Sequence, residues 1–117
     1  GFDLYFLAKL TESEREKLPA GDDLEIFAFR QRGILELTHN YGTETQADFS
    51  YHDGNGEPQG FGHICFSVPS LDEAVDGFEK RNVEVKEGRE DGSMKNIACI
   101  KDVDGYWIEI VQADLMS

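Results

Sequence analysis

The sequence predicts an α+β fold whose second half has the element order β-α-β-β-β. Short apolar runs of strand length recur along the chain and are separated by turn-forming residues. The clearest helix follows Ser70, where a capping pattern precedes an apolar stripe at helical spacing. The first half shows two such strands and one segment that fits a short helix. These observations indicate a small sheet-based domain with few helices.

The composition describes one acidic domain. Its 117 residues are close to the usual size of a single domain and can bury a core, so we expect one domain over residues 1–117. Asp and Glu number 24 against 11 Lys and Arg, which gives a net charge of −13. This charge argues against nucleic acid and anionic membranes as partners, because both select basic surfaces. No apolar run is long enough to span a membrane and no signal peptide is evident, which favours the cytoplasm.

In the first half, residues 4–8 predict a buried strand because they are apolar and aromatic. Residues 11–23 are charged and predict a surface loop that can contain one helical turn. Residues 24–32 fit strand alternation about as well as a short helix, and we favour the helix. A strand is expected over residues 33–40, and a long polar loop over residues 41–59.

The second half opens with a strand over residues 63–68. Ser70 and Glu73 form a predicted capping box, and Leu71, Val75 and Phe78 give the following helix an apolar stripe. Three further strands complete this half, over residues 83–86, 97–101 and 106–112, with a turn at 102–105 between the last two.

Three ionisable residues lie in the middle of apolar strands: Glu36, His63 and Glu109. A single mid-strand glutamate usually faces solvent. Here Glu109 shares one face of its strand with Trp107, and Glu36 shares one with Ile34, so neither face is expected to be fully solvated. Burying an unpaired carboxylate is costly, and a shared cation would satisfy all three groups. Carboxylates with one imidazole suit Zn²⁺, Ni²⁺, Co²⁺, Mn²⁺ or Fe²⁺. The residues alone therefore predict a metal site on a β-rich scaffold.

The two cysteines, Cys65 and Cys99, lie in apolar strand-like runs and are not paired in a C-x-x-C motif. We expect both to be core thiols in a reducing compartment, which agrees with a cytoplasmic location. Trp107 is expected in the core or in a pocket wall. His39 and His52 are expected to be polar residues of loops or strand ends.

Three segments carry a resemblance to a known family: residues 35–44, 60–64 and 104–109. They resemble glyoxalase I (lactoylglutathione lyase), a member of the vicinal oxygen chelate superfamily, and the similarity runs through nearly the whole chain. The resemblance implies βαβββ modules around a metal, with residues 1–59 as a partial first module and connector and residues 60–117 as a complete second module. It also implies a homodimer whose active sites are shared between subunits.

The resemblance further implies an activity and a set of site residues. The reaction would convert the hemithioacetal of methylglyoxal and glutathione to S-lactoylglutathione. Glu36, His63 and Glu109 would bind one divalent metal per site, Zn²⁺ or alternatively Ni²⁺ or Co²⁺, and Glu109 would also be the catalytic base. The residues expected to contact the substrate are Thr38, Asn40, Gln59, Ser93 and Met94.

The chain also departs from the family pattern. No residue matches the family's glutamine ligand or its glutathione-binding arginine, so we expect that the family's N-terminal β-α-β segment is missing here. Gln59 stands where an arginine is common, and Ser93 where a lysine is common. Two alternatives follow: a metal-binding but inactive fragment, or a metal-free structural or binding module. A ring-cleaving dioxygenase is disfavoured, because that class uses two histidines and one carboxylate.

Overall fold

The computed structural model describes residues 1–87 and 96–115. The chain divides into two compact units, residues 1–49 and residues 50–117, and each is described in turn. The expected single domain over the whole chain stays a prediction. Within the described residues, no helix is both long and apolar enough to cross a membrane.

The first unit is built on an antiparallel pair of strands, β1 (Phe2–Leu7) and β2 (Leu35–Asn40). Between them the chain forms α1 (Glu12–Glu16) and α2 (Asp22–Phe29). Both predicted strands are confirmed. The structure also confirms a helix in the segment that fitted alternation equally well. The loop after β2 contains a short 3₁₀ turn, Thr43–Thr45.

Helix α1, five residues long, corresponds to the helical turn that the sequence allowed within the predicted surface loop. The Thr11 hydroxyl accepts from the Glu14 N–H at 3.3 Å, and the Glu14 carboxylate accepts from the Thr11 N–H at 2.8 Å. This reciprocal pair is a capping box, and its Thr-x-x-Glu pattern is readable in the sequence. The donated Thr11 N–H lowers the pKa of Glu14 below its usual value.

The first unit leaves its apolar side chains open. All of residues 1–49 are described, and none of the apolar ones is fully buried. The rings of Phe6 and Phe29 meet edge to face with centroids 5.2 Å apart, which joins β1 to α2. Phe2 is 59% exposed and Leu7 is 50% exposed. The predicted burial of the first strand is therefore wrong, because a two-stranded ribbon with short helices cannot enclose its own side chains.

The second unit has the predicted order β-α-β-β-β: β3 (His63–Ser67), α3 (Leu71–Glu79), β4 (Lys86–Glu87), β5 (Ile97–Lys101) and β6 (Trp107–Val111). Its sheet has the order β3-β6-β5-β4. Strand β6 runs parallel to β3 and antiparallel to β5, so the last strand lies inside the sheet. The expected strand over residues 83–86 shifts, because within the described part of the chain Lys86 and Glu87 are the residues that pair with β5 here.

Helix α3 begins at a well-formed cap. The Ser70 hydroxyl accepts from the Glu73 N–H at 3.3 Å, which is one of the two bonds of the predicted capping box. The Leu71 N–H donates to the side-chain oxygen of Gln112 at 2.9 Å, so the helix start is also joined to the chain after β6. The helix covers one face of the sheet, and the buried cluster there consists of Leu71, Ala98 and Ile110.

The opposite face of the sheet carries the polar and ionisable groups, and we call it the open face. Its side chains include those of His63 and Cys65 on β3, Lys86 on β4, Cys99 and Lys101 on β5, and Trp107 and Glu109 on β6, and the same face holds the buried Ile97. Strand pairing sets Cys65 and Cys99 on either side of Glu109. Cys65 is exposed and Cys99 half-buried, so the prediction that both are core thiols is wrong. Their strands are apolar because the alternate residues face α3.

The start of β3 is fixed by the loop that precedes it. The Asn55 side chain donates to the Gly62 carbonyl at 3.0 Å. Gly54 is buried at φ +74°, and a Cβ atom there would clash with the Phe61 carbonyl. Only glycine allows this close approach of two backbone segments. The loop thereby holds the residues immediately before His63.

Candidate functional site

The predicted ligands His63 and Glu109 come together on the open face. In the parallel pair β3–β6, His63 lies opposite Trp107, and Glu109 lies two residues further along the same side. The imidazole Nε2 is 3.6 Å from the nearer Glu109 carboxylate oxygen. The His63 side chain is 48% exposed and that of Glu109 is 22% exposed. A partly shielded carboxylate therefore lies beside a solvent-accessible imidazole.

This separation fits two groups that share a cation. It is longer than a hydrogen bond, so the two groups are not locked to each other. Donors bound to one zinc ion at about 2.0–2.2 Å lie roughly 3–3.5 Å from one another. The imidazole and the carboxylate would need to move little to bind the same divalent ion. Their donor types, one nitrogen and one oxygen, suit the metals expected from the sequence.

The third predicted ligand, Glu36, belongs to the first unit, where it lies on β2 opposite Phe6. Its side chain is exposed, so the expectation that its strand face is shielded from solvent is wrong. Among the described residues, no group of three or more His, Cys, Asp or Glu side chains is placed to hold a metal ion. The role of Glu36 as a ligand stays a prediction.

The predicted substrate contacts are spread over both units. Thr38 and Asn40 are exposed on β2 and alternate with its apolar residues. Gln59 is exposed in the loop that precedes β3. Ser93 and Met94 lie outside the described residues.

Cys65 shapes the electrostatics of the pair. The pKa of its thiol is raised, first because its surroundings partly exclude water and second because it faces the Glu109 carboxylate. The thiol therefore stays protonated at neutral pH and adds no negative charge beside Glu109. The carboxylate and imidazole remain the ionisable donors of this part of the open face.

Two lysines near the pair were missed by the sequence reasoning. Lys101 Nζ lies 4.7 Å and Lys86 Nζ lies 5.4 Å from the centroid of the Trp107 ring. Lys101 and Trp107 are direct partners across the β5–β6 turn. Matching residues outward from the predicted turn at 102–105 would set Lys101 opposite Tyr106 and miss this pairing by one residue, because the Asp102 N–H donates to the Tyr106 carbonyl at 3.0 Å. The contact of Lys86 with Trp107 depends on how β4 and β6 are arranged around β5, and no local sequence pattern predicts it.

The chain is similar to known proteins over most of its length. The family model of the Glyoxalase/Bleomycin resistance protein/Dioxygenase superfamily matches residues 8–110. The chain is 48% identical over 112 residues to a lactoylglutathione lyase of Pseudomonas putida, covering 95% of this chain and 63% of the relative. It is 51% identical over 114 residues to that of Pseudomonas aeruginosa, covering 97% of this chain and 62% of the relative.

A solved structure is also similar. It is the trypanothione-dependent glyoxalase I of Leishmania major, with a TM-score of 0.53 and 30% sequence identity. The match covers 76% of this chain and 55% of that one. The chain thus spans about three fifths of the length of the curated Pseudomonas relatives. With its βαβββ unit and its family match over most of its length, the chain belongs to the Glyoxalase/Bleomycin resistance protein/Dioxygenase superfamily and has the glyoxalase fold.

Proposed function

We propose that this chain carries the catalytic carboxylate of a lactoylglutathione lyase. The reaction is the isomerisation of the methylglyoxal–glutathione hemithioacetal to S-lactoylglutathione. The observation that carries the proposal is the His63–Glu109 pair, held 3.6 Å apart on the open face of a glyoxalase-fold sheet. The names of the Pseudomonas relatives support the same activity.

One divalent metal is part of this proposal. His63, Glu109 and Glu36 would hold it, with Zn²⁺ preferred and Ni²⁺ or Co²⁺ as alternatives. When bound, such an ion polarises the substrate oxygens and stabilises the negative charge that develops on them. The donor set of one imidazole and two carboxylates leaves coordination positions open for the substrate.

Glu109 is proposed as the base. Its carboxylate would take the proton from the hemithioacetal carbon that bears sulfur and return it to the neighbouring carbon. The hydroxyl proton moves to the other oxygen, so the hydroxyl becomes the thioester carbonyl and the ketone becomes an alcohol. Partial burial of Glu109 supports this role, because a carboxylate shielded from bulk water loses the abstracted proton to solvent less readily.

Substrate contacts and assembly complete the proposal. Thr38, Asn40, Gln59, Ser93 and Met94 are proposed to contact the glutathione part of the substrate. The Leishmania relative is described as trypanothione-dependent, so the identity of the thiol is itself a point to test.

A cytoplasmic homodimer with shared sites is proposed for the whole protein, and light scattering at several concentrations would measure its mass.

The test follows S-lactoylglutathione formation by metal-stripped protein to which Zn²⁺ or Ni²⁺ is returned separately. Glu109→Gln keeps the size of the side chain and removes the base. We expect turnover to fall by at least about 10²-fold in this variant, the lower end of what a positioned base contributes. Glu79→Gln, at the exposed end of α3, is the matched control and should keep full activity.

The alternatives give different results. Metal bound at one ion per chain without turnover would identify a metal-binding but inactive fragment. No metal binding and no turnover would leave a structural or binding module of the same fold. Metal-dependent turnover that persists in Glu109→Gln would contradict the role assigned to Glu109.

A further inference from the structure

Trp107 is the only tryptophan of the chain, and two lysines flank its ring. The ammonium groups of Lys101 and Lys86 lie 4.7 Å and 5.4 Å from the ring centroid. Both distances are within the roughly 6 Å over which a cation is attracted to an indole face. Three strands bring these side chains together, since Lys101 pairs with Trp107 and Lys86 pairs with Cys99 on the neighbouring strand. The sheet therefore positions two cations around one flat apolar surface.

A cavity of about 140 Å³ opens between these groups. The described residues that line it are Val83, Glu84, Lys86, Lys101 and Trp107. Sites for whole small molecules are larger, on the order of 300–1,000 Å³. This cavity fits a small group of a few atoms, such as a carboxylate at the end of a ligand.

The charge of the lining favours an anion. Among the described residues of the lining, two lysines outweigh one glutamate, which gives a positive patch on a chain whose net charge is −13. Among the described residues, neither lysine has a carboxylate within ion-pair distance. Lys101 does act at longer range on Asp53, whose carboxyl pKa it helps to lower. Each ammonium has three donors, and an incoming carboxylate can accept from both groups.

The patch is close to the proposed reaction centre. His63, Trp107 and Lys101 are direct partners on three adjacent strands and form one row across the open face. With adjacent strands about 4.8 Å apart, the backbone of Lys101 lies roughly 10 Å from that of His63. A ligand of peptide size that reacts at the His63–Glu109 pair can extend over Trp107 and reach both ammonium groups.

We propose that Lys86 and Lys101, held around Trp107, form a carboxylate-binding site beside the His63–Glu109 pair. The source we favour is a carboxylate of the thiol-peptide substrate, and this part rests on the proposed function. A free dicarboxylate offers the same chemistry, so the experiment treats the two sources separately. In either case the indole contacts the apolar part of the ligand and the ammonium groups bind the charge.

The experiment measures binding to the metal-free chain by calorimetry and by the emission of Trp107 at constant ionic strength. One arm uses S-methylglutathione, an unreactive thioether with two carboxylates. A second arm uses succinate, and succinamide is the uncharged control of similar shape. Lys86→Gln and Lys101→Gln are compared with Lys80→Gln, which changes an exposed lysine at the end of α3. Circular dichroism checks that every variant is folded.

We expect Lys86→Gln and Lys101→Gln each to weaken carboxylate binding about tenfold, because each removes a charged hydrogen-bond donor. Lys80→Gln should bind like the unchanged chain, and succinamide should not bind. Lysine-dependent binding of S-methylglutathione assigns the site to the substrate. Lysine-dependent binding of succinate alone supports the carboxylate site and counts against the substrate assignment. If neither ligand binds, or if all three variants bind alike, the proposal is overturned.

Discussion

At the scale of single residues, Asp53 holds the loop before β3 through its negative charge. Its carboxylate accepts from the Asn55 N–H at 3.0 Å. That bond is the main reason why the pKa of Asp53 lies below its usual value of 3.8, with smaller contributions from the Gly56 N–H and from the charges of His52 and Lys101. A lowered pKa in the folded state means that the ionised form stabilises the fold. This stabilisation is present above the unfolded-state pKa and is lost as the pH falls through the folded-state value.

We therefore expect Asp53→Asn to destabilise the protein at about pH 6 and to have a smaller effect at about pH 2.5, because the ionised form that the substitution removes becomes less populated as the pH falls. Urea unfolding at the two pH values, followed by circular dichroism, measures the difference. Asp48→Asn, a change in an exposed turn of the first unit, is the control and should show a small difference at both pH values. A stability difference for Asp53→Asn that stays constant with pH would contradict this account.

Gly54 allows the loop before β3 to approach the backbone of Phe61 closely. Gly54→Ala introduces a Cβ atom against the Phe61 carbonyl at a positive φ, so we expect a loss of more than about 1 kcal/mol in the free energy of unfolding. Gly60→Ala lies in the same loop, has no atom within 4 Å of the added Cβ, and should cost clearly less. Urea unfolding of the two variants side by side tests the difference. Equal losses would mean that the close approach at Gly54 is not what fixes the loop.

At the scale of elements, the cap of α3 joins the helix to the sheet it covers. Ser70→Ala removes the acceptor for the Glu73 N–H, and we expect a loss of about 1 kcal/mol. Ser50→Ala, in an exposed segment of the same unit, is the matched control and should be neutral. Thermal unfolding measured by circular dichroism gives both values. A neutral Ser70→Ala would show that the Leu71–Gln112 bond alone holds the helix start.

The order of the elements could be predicted from sequence, because strand length, helix capping and turn residues are local signals. The bounds of β4 could not. Residues 83–86 alternate like a strand, yet the hydrogen bonds that define β4 depend on where β5 lies, and of the described residues before β5 it is Lys86 and Glu87 that pair with it. The prediction that Cys65 is buried was wrong for a related reason. Strand alternation alone does not tell which side of β3 the helix will cover.

The candidate site, too, could be predicted only in part from the sequence. His63 and Glu109 were readable as ionisable residues within apolar strands, and the structure pairs them. Their separation depends on the parallel register of β3 and β6, which is set by contacts distant in sequence. The two lysines around Trp107 escaped prediction because their roles arise from three separate strands. A lysine at the end of a strand is ordinarily expected to face solvent, so the sequence gives no sign of a further role.

At the scale of the whole molecule, the two units differ in how they are held together. Ile110 is 3% exposed and lies in the cluster between α3 and the sheet. Ile26, in α2 of the first unit, is 50% exposed. The second unit therefore has a packed centre, whereas the first depends on strand pairing and local helix caps.

This contrast predicts unequal effects of the same substitution. Ile110→Ala should lower the free energy of unfolding by roughly 2–5 kcal/mol, because it leaves a cavity in a packed cluster. Ile26→Ala should cost about 1 kcal/mol or less, since half of its side chain already contacts water. Urea unfolding followed by far-ultraviolet circular dichroism measures both. Similar losses would contradict the view that the packed centre lies in the second unit.

The interior position of β6 has a consequence for the protein during its synthesis. Among the described strands, β3 pairs with β6 alone, and β6 follows the other three strands of this sheet along the chain. A ribosome must therefore release residues 107–111 before β3 finds its partner or α3 has a complete sheet to cover. Until then the nascent chain exposes apolar strands that a chaperone can bind. A chain stopped before Trp107 would lose the pairings of β6 with β3 and with β5 at once, and of the described strand pairs only β4–β5 could still form.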